Sequence, residues 1–499
     1  MEFTSILDLR RRPNQDTSRP SFFVDLNLHQ VVEKIQSLWG ETVVPLYHYF
    51  PVDEECEEFR RAVYRDVKQE AVHQVLFHFY EAMKRRENAR VKKEKVRSGL
   101  QKSSWQLRET AEYCYALQNL LTGLEGQELS SEGLQALREY LRGYLSGEAF
   151  GQLCGEVTEL LAEQTQCRVT LIYDNQQILV SEEPTLPMYE DYLRNTGEHG
   201  KEFKSPFCRT DELTPLETEV WKLYARKHMD LFQRMEKFRE KYSDYAEERL
   251  LLLAEELPFY LSFYKFEQWM KGKGFAFALP TCDSCKPMRA EGLYDLALAI
   301  VNLSGGKPVV DNSFYLDDGE QFFVLTGPNQ GGKTTFARSL GQLVYFAKMG
   351  LSVPAKGANV PYFTGILTHF SVEESIETGR GKLKEELIRL LPMMEDGSRN
   401  SFVVINELFT TAANYDACIM GKNVLEHFIG LQCKGIYVTH LRELTECHQA
   451  VVSLAAMLDE NRQQNFKVVR SKAETKGCAI NQVNKYQLTY EQLKERLAR

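Results

Sequence analysis

Phe322-Phe323-Val324-Leu325-Thr326-Gly327-Pro328-Asn329-Gln330-Gly331-Gly332-Lys333-Thr334-Thr335 reads as a short strand, a glycine-rich loop and the start of a helix. Phe336, Leu340, Leu343 and Val344 continue it at helical spacing. Strand, loop and helix form the context that the pattern G-x-x-x-x-G-K-[ST] requires. The glycines let backbone N–H groups turn inward around phosphate oxygens, and the helix N-terminus adds the positive end of its dipole. Gly327, Pro328, Asn329, Gln330, Gly331, Gly332, Lys333, Thr334 and Thr335 are therefore the expected cradle for ATP. Lys333 is expected to reach the β- and γ-phosphates, and the Thr334 hydroxyl to hold Mg2+. The competing reading, a chance glycine-rich turn, does not account for the strand before it and the amphipathic helix after it.

At 499 residues the chain has room for several domains, each with its own core. The formal net charge of −9 argues against wholesale coating of nucleic acid, yet leaves room for a local basic groove. No run of about 18 apolar residues occurs, so no transmembrane helix is expected. Residues 1–12 lack the apolar stretch of a secretory signal. Eleven scattered cysteines suit free thiols in a reducing cytoplasm better than a disulfide framework. Cys282-x-x-Cys285 is the only close pair and lacks the second pair that a zinc site would want.

Before the phosphate loop the periodicity is mostly helical. Residues 1–20, with Arg10, Arg11 and Arg12 and few apolar groups, read as a loose arm. Val31, Val32, Ile35 and Leu38 mark a first helix, and Val63, Val67, Val72, Val75, Leu76 and Phe79 mark a core-facing stripe in 54–124. Within 84–108 ten basic residues are opposed only by Glu87 and Glu94. They form either a face for backbone phosphates or an ordinary solvated helix surface. Two more helices, about 131–146 and 149–166, lead to a β-hairpin at 168–180. Thr214, Pro215 and Glu217 make a capping box at the start of a long helical pattern over 216–266, which suits a lever. Strand-like runs at 275–279, 309–310 and 322–325 then open a region of alternating helices and strands.

Two further strands carry chemistry at their ends. Ser401-Phe402-Val403-Val404-Ile405 runs into Asn406-Glu407. In phosphate-loop ATPases this position orients the Mg2+ shell, and a following Glu activates the attacking water. Glu407 is the candidate general base. Asn406 can accept from a metal-bound water but brings no negative charge. Gly435-Ile436-Tyr437-Val438 ends in Thr439-His440, and a His straight after such a strand can contact the γ-phosphate or its water.

The order of these motifs resembles the ATPase domain of the MutS DNA mismatch-repair family, a branch of the ABC-type ATPases. Gly327 to Thr335, then Met349-Gly350 and Val353-Pro354-Ala355, Gly379-Arg380 to Glu386, Asn406-Glu407 to Tyr415-Asp416, and Thr439-His440 fall in the family's order over roughly 275–499. Lys467-Val468-Val469-Arg470 to Ala479 and Tyr486 to Leu497 are similar to its closing strand and helix. The departures are Asn406 in place of the Walker B Asp, and Gly381-Lys382 where the signature loop has a serine; that loop caps the partner's ATP, so trans-activation is not implied. Nothing before residue 275 resembles the family's mismatch-reading domain. The resemblance implies an α + α/β fold: an arm (1–20), a helical core and lever (21–285), and an ABC-type ATPase domain (286–499). It further implies ATP and Mg2+ as cofactors, Thr334 and Asn406 at the metal, Glu407 and His440 in catalysis, slow hydrolysis, a homodimer through the ATPase domains, and DNA as partner in the cytoplasm, with no membrane. Two rivals are a nucleotide-gated scaffold with little hydrolysis and an ABC-type ATPase that does not act on DNA.

Overall fold

A computed structural model of the chain describes residues 3–8, 18–51, 53–166, 170–174, 177–181, 215–306, 308–370, 382–395, 399–458 and 464–471. Its contacts separate it into two units. One comprises Met1–Ser5 with Gln69–Leu257, the other Ile6–Lys68 with Pro258–Arg499. This partition cuts across the linear division near 285, because the helices before Gln69 group with the C-terminal sheet.

Among its described residues the first unit is helical apart from the expected hairpin, β1 (Thr170–Asp174) paired antiparallel with β2 (Gln177–Ser181). Its largest elements are the neighbouring helices Glu70–Lys95 and Gly99–Glu125. Val72, Leu76, Phe79 and Met83 on the first and Leu107, Tyr113, Leu117 and Leu120 on the second are buried, as their spacing predicts. The two backbones approach so closely that a Cβ on Gly123 would lie 2.6 Å from Val75 Cγ2. The single long helix expected over 216–266 is instead three, Pro215–Lys227, Met229–Lys241 and Glu248–Lys271. Tertiary partners hold the second break: Gln106 Nε2 donates to the Tyr242 carbonyl (3.0 Å) and the Glu247 N–H donates to Tyr113 Oη (3.0 Å). Thr214 and the side chains of Pro215 and Glu217 lie outside the described residues.

The arm is likewise not loose at its start. Phe3, Ile6 and Leu7 are buried. Arg249 donates to the Phe3 carbonyl (3.2 Å), while Arg60 and Tyr260 donate to the carbonyls of Leu7 (2.8 Å) and Ile6 (2.9 Å). Buried backbone carbonyls need donors, and here distant side chains supply them.

The basic run 84–108 changes character once the helices pair. Arg85 meets Glu112 (3.0 Å), Arg86 and Lys93 both meet the buried Glu109 (3.1 and 2.6 Å), and Arg90 meets Glu87 and Glu94 (2.6 Å each). Glu109 and Glu112 lie beyond the run in sequence but beside it in space.

The second unit is built on two sheets. A three-stranded antiparallel sheet has the order β4 (Asn312–Leu316), β3 (Met288–Leu293), β6 (Gly357–Asn359). A six-stranded sheet has the order β11 (Gln464–Arg470), β10 (Val451–Leu458), β5 (Phe322–Thr326), β9 (Lys434–Val438), β8 (Phe402–Asn406), β7 (Ile366–Phe370). Only β11 runs antiparallel. β5 and β8 are buried along their whole length, as parallel strands covered on both faces must be. Of the strands expected at 275–279 and 309–310, the first reduces to one bridge, Ala278 to Val353, and the second is irregular.

The helix Lys333–Lys348 packs behind the phosphate loop, and the N-terminal helices hold it. Arg338 Nε donates to the Asp25 carbonyl (2.9 Å), Gln342 Nε2 to the Leu26 carbonyl (3.0 Å) and Tyr345 Oη to the Tyr47 carbonyl (2.6 Å). Gly341 lets Leu26 close in, since a Cβ there would meet Leu26 Cδ2 at 2.4 Å. These contacts bridge about three hundred residues of sequence, which is why the residues up to Lys68 belong with the sheet.

Candidate functional site

The phosphate loop leaves β5 at its C-terminal end, where ligands of open α/β sheets bind. Gly327 (φ 142°) and Gly332 (φ 85°) take backbone angles that a side chain would strain. A Cβ on Gly327 would also lie 2.8 Å from the Ala456 Cβ, so β10 leaves no room for one. Lys333 opens the helix and is only 5% exposed. Its Nζ donates to the carbonyls of Gly327 and Pro328, both at 3.0 Å. Burial lowers its pKa, and the charge of Glu407 opposes that shift.

β8 ends one strand over from β9, and its last residue enters the site. Thr334 Oγ1 donates to Asn406 Oδ1 at 3.0 Å. The next N–H, that of Glu407, still pairs with the Val438 carbonyl of β9 (2.9 Å), after which the chain turns sharply. Glu407 (φ 55°) and Phe409 (φ 61°) both adopt the left-handed region, uncommon for residues with side chains. Phe409 is held by its N–H, which donates to Glu386 Oε2 (3.0 Å). Glu386 is itself buried, on the helix Lys382–Glu395. The turn aims Glu407 back at the loop, where Oε1 accepts from His440 Nε2 at 3.0 Å. A carboxylate only accepts, so Nε2 carries the proton of this pair.

A cavity of about 600 Å3 lies against the loop. Asn329 to Thr335 and Glu407 line its polar end; Leu298, Pro308, Val309, Val310 and Phe466 are among its apolar walls. A largely apolar lining with a few convergent polar groups is the usual make-up of a small-molecule site. The structure thus brings Lys333, Thr334, Asn406, Glu407 and His440 together, with Gly327 and Pro328 facing Lys333 through their carbonyls. Asn406 and His440 touch cavity-lining residues without lining the cavity themselves.

The positions of five residues in the site escaped the sequence, although Glu386 closes one of its motifs and Val309-Val310 reads there as a strand. Glu386 acts through a backbone N–H of a different segment. Phe466, on β11, approaches Gly332, whose Cβ would lie 3.3 Å from its ring, and Gln464 Nε2 donates to the Asn329 carbonyl (3.0 Å). Val309-Val310 carries a strand-like composition yet serves as cavity wall. Thr410, Thr411, Tyr415 and Asp416 are exposed, and Gly379, Arg380 and Gly381 lie outside the described residues.

The donor chemistry at Thr334 and Asn406 fits Mg2+. Both offer hard neutral oxygens but no carboxylate, whereas Mg2+ is ordinarily bound by one or two carboxylates together with phosphates and waters, so here phosphates would supply the negative charge. Among the described residues no cluster of three or more His, Cys, Asp or Glu side chains could hold a metal without such help. No helix among them is long and apolar enough to cross a membrane.

The profile of the family MutS domain V matches residues 323–486, the stretch from β5 past β11. The DNA mismatch repair protein MutS of Thermosipho melanesiensis is 28% identical over 171 residues, 34% of this chain and 21% of that protein. The MutS protein of Thermotoga neapolitana is 32% identical over 136 residues, 27% of this chain and 17% of its own. That of Streptococcus sanguinis is 28% identical over 174 residues, 34% and 20%. The matched stretch therefore spans about a fifth of the length of these relatives.

Proposed function

We propose, from the premise that this chain belongs to the MutS family through its domain V, that it is an ATP-dependent DNA-binding protein with slow ATP hydrolysis. In this reading it clamps duplex or branched DNA as an ATP-gated dimer joined through the ATPase domains, with the helical region as core and lever. The observation that carries the reading is the convergence of two side-chain pairs on one phosphate loop: Thr334 with Asn406 at 3.0 Å, and Glu407 with His440 at 3.0 Å.

Each residue then has a task. Lys333 exchanges its carbonyl partners for the β- and γ-phosphate oxygens, a charge-assisted contact stronger than the one it leaves. Thr334 and Asn406 hold Mg2+, which when bound neutralises charge on the phosphates. Glu407 takes the proton of the attacking water, and His440 orients the carboxylate. Asn406 contributes an oxygen but no charge, so the metal is held less firmly than beside an Asp, and the ATP state lives longer. The apolar wall receives the base.

The same neutral Asn406 favours a second reading, a scaffold gated by ATP binding with little turnover. One experiment separates the two: ATP binding, phosphate release and binding of duplex and junction DNA, measured on the purified protein with and without ATP. The clamp reading expects measurable phosphate release and DNA affinity that changes with ATP. ATP-dependent DNA binding without phosphate release would leave the scaffold, and DNA affinity indifferent to ATP would overturn both.

A further inference from the structure

The helix Leu296–Gly305 lays one side along the cavity beside the phosphate loop. Asp295, at its N-cap, Leu298 and Asn302 all line that space at helical spacing, while Val301 is exposed on another side. The helix is pinned at its start to the phosphate-loop helix Lys333–Lys348. Asp295 Oδ1 accepts from the Leu298 N–H (3.0 Å) and from Gln342 Nε2 (3.0 Å). Gln342 Oε1 in turn accepts from the Leu296 N–H (2.8 Å). One buried glutamine thus serves the cap carboxylate and an N–H that has no partner within its own helix. At the other end the Gly306 N–H donates to the Asn302 carbonyl, and Gly306 takes the left-handed φ of 63° that stops the helix. Asn302 is therefore held at a fixed place relative to Lys333.

Away from the phosphate loop, the polar side chains that line the cavity are engaged with the protein itself, with one exception. Tyr294 Oη donates to the Ala276 carbonyl (3.0 Å) and Ser339 Oγ to the Phe336 carbonyl (2.7 Å). Asn312 uses both ends of its amide on β11: Nδ2 donates to the Phe466 carbonyl (3.2 Å), and Oδ1 accepts from the Val468 N–H (2.9 Å). Asp295 holds Leu298 and Gln342, as above. Asn302 is the exception. It is half-buried, and among the described residues its amide has no hydrogen-bond partner. A primary amide carries one acceptor oxygen and two N–H donors. Leu298, Val309 and Val310 in the same wall offer these groups nothing.

We propose that Asn302 is the residue that selects adenine in the nucleotide site. Its amide oxygen accepts from the exocyclic amino group of the base, and its amide N–H donates to the ring nitrogen next to that group. A donor beside an acceptor is the pattern that a primary amide complements, which is why Asn and Gln read adenine bidentately. The pairing does not depend on which edge of the base is presented, because the amino group has an acceptor nitrogen on either side. Val309, Val310 and Phe466 supply apolar contact to any base, so the choice among bases falls to Asn302. The inference rests on the ATP-binding part of the function proposed above and names the residue that recognises the base.

The test uses the full chain with Mg2+ and measures displacement of a ribose-labelled fluorescent ATP by two competitors. One is ATP; the other is purine riboside triphosphate, which differs from ATP only in lacking the exocyclic amino group. The wild type binds ATP about tenfold more tightly, because the analogue leaves the amide oxygen of Asn302 without a donor. N302A loses this preference, since both nucleotides then meet a methyl group. Alanine suits a helix, and an unchanged circular dichroism spectrum establishes that the variant is folded. If N302A weakens ATP and the analogue equally and keeps the preference, Asn302 only shapes the cavity and the proposal is overturned. It is overturned as well if the wild type binds ATP and the analogue alike, a result that leaves the nucleotide site itself standing. If the wild type binds neither nucleotide, the ATP-binding reading falls and the inference with it.

Discussion

Lys333 and Lys93 are both largely withdrawn from water, and the molecule treats their charges in opposite ways. Lys333 is met by two peptide carbonyls, neutral groups that satisfy its hydrogen bonds and leave its charge in place. Lys93 is met by the carboxylate of Glu109, which it shares with Arg86. A neutral cradle keeps a cation ready for an incoming anion, whereas an ion pair with a buried carboxylate removes it from use. Depressed by burial, the Lys333 ammonium gains from any phosphate that replaces the carbonyls. Nothing comparable is available to Lys93, whose release would take one of two cations from the buried Glu109 and leave only Arg86 against it. The contrast separates a basic residue that binds from one that builds.

Substitutions at four residues test that contrast on its catalytic side. The largest effect is expected at Glu407. Replacing it with Gln removes the proton acceptor but keeps the size of the side chain and a partner for His440, so turnover drops about 100-fold or more while ATP binding persists. Phosphate release alongside equilibrium ATP binding is the measurement, and an unchanged rate would mean that another group serves as base.

Lys333→Ala comes next. It removes the charge that the carbonyl cradle preserves and weakens ATP binding by about 2 kcal/mol, roughly 30-fold. Calorimetric titration of the folded variant reads this directly. Tight binding in that variant would make Lys333 equivalent to Lys93, a building residue only.

Glu386→Ala leaves the Phe409 N–H without its acceptor and loosens the left-handed turn that carries Glu407. Turnover is expected to fall about 10-fold with ATP affinity unchanged, because a displaced base fails without disturbing the phosphate loop. Glu386→Gln, whose carbonyl oxygen still accepts, should recover most of the rate. Equal loss in both variants would show that the charge of Glu386 matters and not its hydrogen bond.

The smallest effect concerns Asn406. Asn406→Asp places a negative charge beside Thr334, and turnover is expected to rise by a factor of a few, or the Mg2+ needed for half-maximal activity to fall. Steady-state phosphate release against Mg2+ decides it. A slower variant that needs more Mg2+ would mean that the neutral oxygen is the fitted one.

The legible parts of the site share a physical origin. Strand, loop and helix around Lys333 are specified by consecutive residues, and the turn geometry needs Gly327 and Gly332 whatever surrounds them. The placement of Asn406 and His440 was legible for a similar reason, since each comes at the end of an apolar run that reads as a buried strand. Glu386 was not, because its partner is a backbone N–H, identical in every residue but proline. Val309 and Val310 misled because two branched apolar residues suit a cavity wall as well as a strand. The expected long helix failed at Tyr242, where side chains of Gly99–Glu125 satisfy the backbone of the break.

By itself, then, the amino-acid sequence determined the local elements and the spacing of the phosphate-loop residues, because backbone geometry and hydrophobic period act over a few residues at a time. The tertiary structure alone decided which cations are paired with carboxylates, which helices belong to the sheet and what holds the turn at Glu407. Each of these is a contact between groups far apart in the chain: Arg86 with Glu109, Tyr345 with Tyr47, Phe409 with Glu386. A charge or a hydrogen bond has no meaning until its partner is known, and the partner is chosen by folding.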